Sequence, residues 1–292
     1  MAPPLALALP AGPSVSWLRT PTNFAHAMGG LNVGGKIYTY TNTLEAFNQN
    51  YAKGYRIFEC DFFPTADNQL ACRHDWTPLL YKQLGEHYPG HTPTMKEFMR
   101  TKVFGKYTPM NINTVVGLMR AHPDMYVITD TKFSDSAHVR LEMNLIVRAM
   151  GKDKNELAKR FIIQIYHEGM VTMVRKVYPW PNIIFTTYHL STTYSRNLGA
   201  VIWAKRYGIH VVTLDMYHYS SKLASSARKA GIALAVNTIN SPSKAGSLNS
   251  AGVRYLYTDS LSSRDWWETS FTASLMQPPI APDAVPFNRY DD

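Results

Sequence analysis

The sequence predicts an α/β protein, a (β/α)8 barrel with an insertion after the second strand. Eight short β-rich runs alternate with helical patterns from residue 24 onward. Several helical patterns end in a glycine that suits a left-handed cap: Gly54, Gly151, Gly208 and Gly231. The 292 residues accommodate the roughly 250 that such a barrel takes. A doubly wound open sheet is the alternative, but the first strand lacks the Gly-rich dinucleotide fingerprint.

The predicted elements follow one another in strand–helix order. The strands are NFAHAM, RIFECDF, MYVITDTK, RFIIQIY, NIIFTTYH, IHVVTLDMY, IALAVNTIN and YLYTD. The helices are TNTLEAFNQNYAKG, NINTVVGLMRAHPD, SAHVRLEMNLIVRAMG, EGMVTMVRKVY, TTYSRNLGAVIWAKRYG, SSKLASSARKAG and SKAGSLNSAG. Residues 77–111 do not fit this alternation, and we expect them to form an insertion over the mouth of the barrel.

The ends of the chain differ in composition from the barrel. We expect a loose N-terminal arm over residues 1–22, one barrel domain over 23–271 and a Pro-rich irregular tail over 272–292. The leader has no basic start and is broken by prolines, so it does not resemble a signal peptide. We expect a soluble protein, with the cytoplasm slightly favoured over export. The sequence does not indicate an oligomeric state.

Charge and cysteine content narrow the classes of partner. A net charge of +9 favours anionic partners, but the basic residues are spread along the chain. A phosphate-bearing substrate or an anionic membrane surface therefore suits the chain better than a nucleic acid. Cys60 and Cys72 could form one bridge between neighbouring strands, but we expect two free thiols.

The second strand carries two carboxylates that share a face. Glu59 and Asp61 are two residues apart, so both point away from the face that holds Phe58, Cys60 and Phe62. Two like charges side by side on a buried strand are costly unless a cation or a shared proton compensates them. The pattern therefore predicts a metal or another cationic partner.

Further polar residues fall at the C-terminal ends of strands, where barrels of this type carry their functional groups. They are His26, His74, Asp130 and Lys132. The three carboxylates suit Mg²⁺ or Ca²⁺ rather than zinc. The two histidines can serve as general base and general acid, and the lysine can hold a phosphoryl oxygen. Together these groups outline a metal-assisted attack on a phosphodiester.

Each residue also has a purely structural interpretation. A Glu-x-Asp strand can be an exposed edge, and a histidine such as His26 can be a hydrogen-bonded core residue. Asp130 and Lys132 can pair with one another, and Asp75 after His74 can cap a turn. The order and placement of the whole set favour the functional interpretation.

Over about residues 24–260 the chain resembles the glycerophosphodiester phosphodiesterases. That family carries His-Arg-Gly, Glu-Asn-Thr-Leu-x-Ala-Phe, Glu-x-Asp and His-Asp in this order, and here stand FAHAMGG, TNTLEAF, ECD and RHDW. VITDTK, LAVNTIN and GVRYLYTD are weaker echoes. Phosphatidylinositol-type phospholipases C and spider-venom phospholipases D are similar only in site layout.

The resemblance implies two catalytic histidines, an active-site lysine and three metal ligands: His26, His74, Lys132, Glu59, Asp61 and Asp130. The family usually has Glu at the third ligand. Ala27 replaces its arginine, and Thr41 replaces the first residue of Glu-Asn-Thr. These changes leave the metal and acid–base groups intact but alter the surroundings of the phosphate.

We therefore expect a phosphoric diester hydrolase that depends on Mg²⁺ or Ca²⁺, with His26 as base and His74 as acid. Its substrate would be a glycerophosphodiester-like, lipid or sugar phosphodiester, contacted by Lys132, Trp76, Tyr188 and Tyr217, although these aromatic residues could simply be packing residues. The alternatives are a phospholipase D-like lyase or phosphotransferase and a non-catalytic binding module. Peripheral membrane contact is compatible with the charge.

Overall fold

Eight parallel strands close into a barrel in the computed structural model, which describes residues 16–19 and 23–262. The barrel strands are β1 (Phe24–Ala25), β4 (Ile57–Pro64), β6 (Tyr126–Asp130), β7 (Phe161–Ile165), β8 (Ile183–Thr186), β9 (Val211–Asp215), β10 (Ala233–Asn237) and β11 (Tyr255–Thr258). Strand β1 pairs with both β11 and β4, which closes the barrel. The predicted fold class and all eight predicted strands are confirmed.

Seven helices connect the barrel strands, as predicted. They are α1 (Leu44–Ala52), α4 (Ile112–Ala121), α5 (Ser136–Met150), α7 (Met170–Val177), α8 (Tyr194–Arg206), α9 (Ser221–Ala230) and α10 (Pro242–Ser250). Short helix α6 (Lys154–Leu157) follows α5. Gly231 ends α9 in the left-handed conformation, with φ of 74°, which a residue without a Cβ adopts at little cost.

Besides α6, three further strands and two helices of residues 23–262 lie outside this alternation. Strands β2 (Leu31–Val33) and β3 (Lys36–Tyr38) form an antiparallel hairpin between β1 and α1. Strand β5 (Leu70–Cys72) runs back along the end of β4 and forms an antiparallel hairpin with it. The insertion of residues 77–111 contains α2 (Pro78–Gln83) and α3 (Met95–Arg100), and Met95 and Phe98 pack on Ala71 of β5.

The inside of the barrel changes from apolar to polar along the strands. An apolar cluster at the N-terminal end includes Phe24, Ile57, Ile128, Ile162, Ile184 and Val211. Because side chains alternate, the next inward positions on these strands are two residues further on. They are His26, Glu59, Asp130, Gln164, Thr186 and Thr213. The same alternation that seals one end of the barrel therefore collects polar groups at the other.

The N-terminal arm is packed where the structure describes it. Residues Ser16–Arg19 form a 3-10 turn, and Trp17 is buried against Phe24 and Tyr255 at the N-terminal end of the barrel. The Trp17 indole donates to Asn182 Oδ1 at 3.1 Å. This packing differs from the loose arm predicted for residues 1–22, because an apolar ring gains from covering the open end of the barrel. The tail predicted over 272–292 lies outside the described residues.

Cys60 and Cys72 are buried free thiols, as expected, on the neighbouring strands β4 and β5. Within the described residues, no helix is both long enough and apolar enough to cross a bilayer.

Candidate active site

Three buried carboxylates meet at the C-terminal end of the barrel. Glu59 and Asp61 of β4 lie beside Asp130 of β6, and one oxygen of each lies within 4.8 Å of the others. Register explains the meeting, because Asp61 is the direct partner of Asp130 in the parallel ladder. Glu59 is 3% exposed and Asp61 is fully buried, which rules out the exposed-edge interpretation of this pair.

Lys132 places its ammonium group between two of these carboxylates. Its Nζ donates to Asp61 Oδ1 at 2.5 Å and also to Asp130 Oδ2. The backbone of Lys132 has a φ of 63°, a left-handed conformation that residues other than glycine rarely adopt. The chain turns in this conformation just after β6 ends. Burial alone would lower the pKa of Lys132, but Asp130 and Asp61 raise it well above its usual value. The ion pair considered from sequence is present, and it includes Asp61 as well.

Three of the four remaining carboxylate oxygens accept hydrogen bonds from neutral donors. Asn42 Nδ2 donates to Asp61 Oδ2 at 2.8 Å. Gln164 Nε2 donates to Asp130 Oδ1 at 3.0 Å, and the Tyr166 hydroxyl donates to the same oxygen. The backbone N–H of Ala27 donates to Glu59 Oε2 at 2.6 Å. These donors orient the three carboxylates towards one another.

The environment separates the two carboxylates of β4. Burial and the charge of Asp61 raise the pKa of Glu59 to about 8. Burial would also raise the pKa of Asp61, but the charges of Lys132, His74 and His26 hold it below its usual range. Asp61 is therefore the carboxylate of the pair that stays ionised, whereas Glu59 is readily protonated.

The three carboxylates suit a divalent cation. Glu59 Oε1 is buried and makes no hydrogen bond with any described residue. A buried polar atom without a partner is costly, so this oxygen has a coordination position to offer. An all-oxygen donor set on two adjacent strands is what Mg²⁺ and Ca²⁺ prefer. The residues present therefore fit the predicted metal site.

His26 lies at the end of β1 and forms a pair with Asp259, which follows β11. The two groups, His26 Nδ1 and Asp259 Oδ1, are 2.9 Å apart, and Asn240 Nδ2 donates to the other carboxylate oxygen at 2.7 Å. Burial would lower the pKa of His26, but the hydrogen bond to Asp259 and the charges of Glu59, Asp259 and Asp61 raise it to about 9. Asp259 therefore favours the imidazolium form.

His74 lies across the mouth on the turn after β5, where its Nδ1 is 2.7 Å from Asp75 Oδ2. The other oxygen of Asp75 accepts from the backbone and side chain of Thr77, so Asp75 also caps the turn, as the structural interpretation proposed. The ring of Tyr40 lies edge-on between the two histidines, 4.9 Å from His26 and 5.1 Å from His74. Tyr40 thus connects the two halves of the predicted acid–base pair.

The three aromatic residues predicted to contact substrate lie in different places. Trp76 packs against Phe98 of the insertion, and its indole donates to Pro64 O at 2.8 Å. Tyr188 is half-buried at the mouth, where its hydroxyl accepts from Asn237 Nδ2 at 3.0 Å. Tyr217 is 84% exposed beyond the end of β9. Burial raises the pKa of Tyr188 well above its usual value, and the charges of Asp130 and Glu59 raise it further.

Sequence reasoning missed four residues that support the site: Tyr40, Asn42, Gln164 and Asp259. For Asn42 a signal existed, since it is the central residue of the TNT segment within the family motif. Inward parity of β7 and β11 points to Gln164 and Asp259, but parity alone does not name their partners. We find no sequence signal that singles out Tyr40.

Comparison with known proteins agrees with this geometry. The model of the glycerophosphoryl diester phosphodiesterase family matches residues 34–263. No curated protein matches the chain in a sequence search.

Solved structures share the fold at low sequence identity. A glycerophosphodiester phosphodiesterase from Parabacteroides distasonis has a TM-score of 0.62 at 17% identity, covering 82% of this chain and 93% of its own. An Oleispira antarctica phosphodiesterase in complex with the product sn-glycerol-3-phosphate has a TM-score of 0.59 at 11% identity, covering 81% and 91%. One from Thermotoga maritima has a TM-score of 0.58 at 16% identity, covering 82% and 93%.

Proposed function

The chain belongs to the glycerophosphoryl diester phosphodiesterase family, and we propose that it cleaves a phosphodiester with a divalent cation and an acid–base pair of His26 and His74. Family membership gives the class, a phosphoric diester hydrolase. The observation that supports the proposed chemistry is the meeting of Glu59, Asp61 and Asp130 within 4.8 Å of one another. The contact of the Tyr40 ring with both imidazoles supports an acid–base pair at one mouth.

The three carboxylates would hold Mg²⁺ or Ca²⁺. A cation held there would supply the positive charge that attracts a phosphate group and stabilises negative charge on its oxygens during attack. The ammonium group of Lys132 contacts Asp61 and Asp130, so we assign Lys132 as a second positively charged group, beside the cation, that binds the phosphoryl oxygens.

We assign His26 as the general base. With Nδ1 held by Asp259, its Nε2 would take the proton of the attacking hydroxyl, and Asp259 would stabilise the imidazolium that forms. Glu59 and Asp61 are two of the charges that raise the pKa of His26 to about 9. Neutralising these carboxylates would therefore lower the pKa of His26 towards neutrality, where a base works best. The pKa of the general base would thus depend on whether a cation neutralises Glu59 and Asp61.

We assign His74 as the general acid. Asp75 holds its Nδ1, which leaves Nε2 to give a proton to the departing alkoxide. The side chain of His74 is 37% exposed, whereas that of His26 is 12% exposed. The more exposed histidine can meet leaving groups of different sizes at the rim.

The proposed substrate is a glycerophosphodiester-like, lipid or sugar phosphodiester, with Tyr188 at the wall of its pocket. The Oleispira antarctica relative holds sn-glycerol-3-phosphate, so glycerophosphodiesters are the first compounds to test. Ala27 and Thr41 are neutral where the family has Arg and Glu, so selectivity among diesters should differ from that of the family. Trp76 and Tyr217 lie at the rim and would contact only a long substrate.

Product analysis by ³¹P NMR tests the proposal. We would incubate the protein with glycerophosphodiesters, lysophospholipids and sugar phosphodiesters in Mg²⁺, in Ca²⁺ and in EDTA. We expect turnover that requires the cation. A monoester product indicates attack by water, and a cyclic phosphate indicates attack by a hydroxyl of the substrate.

Histidine variants test the assigned residues. His26→Ala and His74→Ala should each lower the rate by about 10² to 10⁴. His138→Ala is a matched control, because His138 pairs with Asp135 at 2.7 Å on the exposed face of α5. Full activity in both active-site variants would show that the assignment is wrong. Absence of both turnover and cation binding would instead favour a non-catalytic binding module.

A further inference from the structure

The helices of the second half of the barrel carry their basic residues at one end. Three consecutive helices have a dibasic pair in the last turn: Arg175 and Lys176 in α7, Lys205 and Arg206 in α8, and Arg228 and Lys229 in α9. Each helix runs back from the C-terminal end of one strand to the N-terminal start of the next. The three pairs, which we call the basic end, therefore lie at the end of the barrel opposite the catalytic mouth.

The three helices that form the basic end carry no acidic residue. None of its six cations forms an ion pair within the described part of the chain, and all except the half-buried Arg175 are exposed. Residues 169–262 contain ten Lys and Arg but only two acidic residues, Asp215 and Asp259. Asp215 ends β9 and Asp259 follows β11, so both acids lie at the C-terminal end of the barrel. Residues 169–262 therefore concentrate positive charge at the end of the barrel where they have no acidic residue.

Helix dipoles do not account for this distribution. The dipole favours cations in the last turn of a helix and equally favours acidic residues in the first turn. Helices α7, α8 and α9 have no acidic residue in the first turn. The dipoles therefore favour the cations of the basic end but leave the absence of acidic residues from these helices unexplained.

We propose that the basic end docks on the surface of an anionic phospholipid bilayer. The helices of such a barrel form a ring around the strands, so the last turns of α7, α8 and α9 face the same end of the molecule and a flat surface can meet all three pairs. The ends of α7 and α8 are in direct contact, since Arg175 Nη2 donates to Tyr207 O at 3.5 Å. Ile202 and Tyr207, 58% and 36% exposed, add apolar surface beside the α8 pair. Exposed apolar groups among cations suit the boundary between headgroups and acyl chains.

This docking sets the direction in which the active site faces. The basic end and the catalytic mouth lie at opposite ends of the strands, so a docked molecule presents its mouth to the aqueous phase. The docked enzyme would therefore act on a water-soluble phosphodiester rather than on lipids of the bilayer that holds it. This consequence rests on the proposed function, whereas the docking itself does not.

Vesicle sedimentation of the full chain tests the docking. We would compare phosphatidylcholine vesicles with vesicles that also contain phosphatidylglycerol. The test variant is Lys205→Glu with Arg206→Glu, and the matched control is Lys96→Glu with Arg100→Glu on α3 of the insertion, which makes the same change in net charge elsewhere. Each membrane-facing cation raises the partition coefficient about fivefold, so the test variant should bind at least about tenfold more weakly. The control should bind like the parent chain.

Several results would overturn the docking. One is absence of binding to phosphatidylglycerol vesicles, and another is an equal loss of vesicle binding in the control variant. A third is binding of the parent chain to soluble polyphosphate at least as tightly as to these vesicles, at equal phosphate concentration. Circular dichroism checks that each variant is folded. Turnover of a soluble diester is read separately, so an inactive chain that still binds vesicles would refute the proposed function and leave the docking supported.

Discussion

The pair of His26 and Asp259 offers the sharpest test of the site, through the substitution Asp259→Asn. The change removes one charge with little change in volume. It also places an amide against Asn240, which donates to Asp259 Oδ2 at 2.7 Å, and against His26 Nδ1 at 2.9 Å. One side of the new amide must therefore face a donor, and His26 loses the anion that favours its imidazolium.

The expected size of the effect follows from the contact. A charge-assisted hydrogen bond between side chains that are 12% and 4% exposed contributes about 1.5–3 kcal/mol. This range corresponds to about 1–2 pKa units and to a rate change of about 10- to 150-fold. If His26 is the base, kcat/KM rises with pH as His26 loses its proton. The substitution should then move the rising part of the kcat/KM profile to lower pH by about 1–2 units and lower its plateau by about 10- to 150-fold.

The assay is a pH profile of kcat/KM at saturating cation, with Asp215→Asn as the matched control. Asp215 pairs with His218 at 2.7 Å after β9, so it is the same kind of pair at another strand end. The control should keep the position of the rising part. An unchanged rising part and plateau in Asp259→Asn would refute the role of Asp259, and an equal change in the control would show that the effect is not specific to this pair.

Three further predictions concern the same region. The pKa of Glu59 is raised from 4.5 to about 8, so between these pH values the folded state keeps a proton that the unfolded state releases. The free energy of unfolding of the ion-free protein should therefore fall by about 1.4 kcal/mol per pH unit over this range. Thermal melts in EDTA would show this fall, and excess cation should reduce it. Tyr40→Ala should lower kcat by about 5- to 150-fold, since it removes two ring contacts that contribute about 0.5–1.5 kcal/mol each. Tyr40→Phe keeps the ring and should keep most of the rate. Equal losses in the two variants would implicate the hydroxyl instead. Glu142 of α5 is fully buried and forms no ion pair within the described residues, and burial raises its pKa to about 9 although a hydrogen bond to Thr131 lowers it. Glu142→Met should therefore stabilise the fold by about 1–3 kcal/mol, more at pH 9 than at pH 6, and a destabilised variant in denaturant melts would contradict this.

The sequence was informative wherever the chemistry is local to one element. Strand periodicity of two places Glu59 and Asp61 on one face, whatever the rest of the chain does. The order of strands and helices predicts a parallel sheet, because a parallel strand needs a crossover helix before the next strand, and the missing Gly-rich fingerprint favours the barrel over an open sheet. The barrel in turn places strand ends together, which is why Asp130 and Lys132 could be assigned to the same mouth as the carboxylates of β4.

Only the tertiary structure decided which side chains are partners. Asp259 lies 233 residues from His26, and they meet because β1 pairs with β11 as the barrel closes. Tyr40 reaches both histidines from a left-handed turn with φ of 59°, which no local pattern specifies. The basic end has the same origin, since its three pairs are separated by more than twenty residues each and look scattered along the chain. Residues far apart in sequence gain an effect on one another's pKa or share a surface only when the fold brings them within a few ångströms, because charge interactions fall with distance and are screened by water.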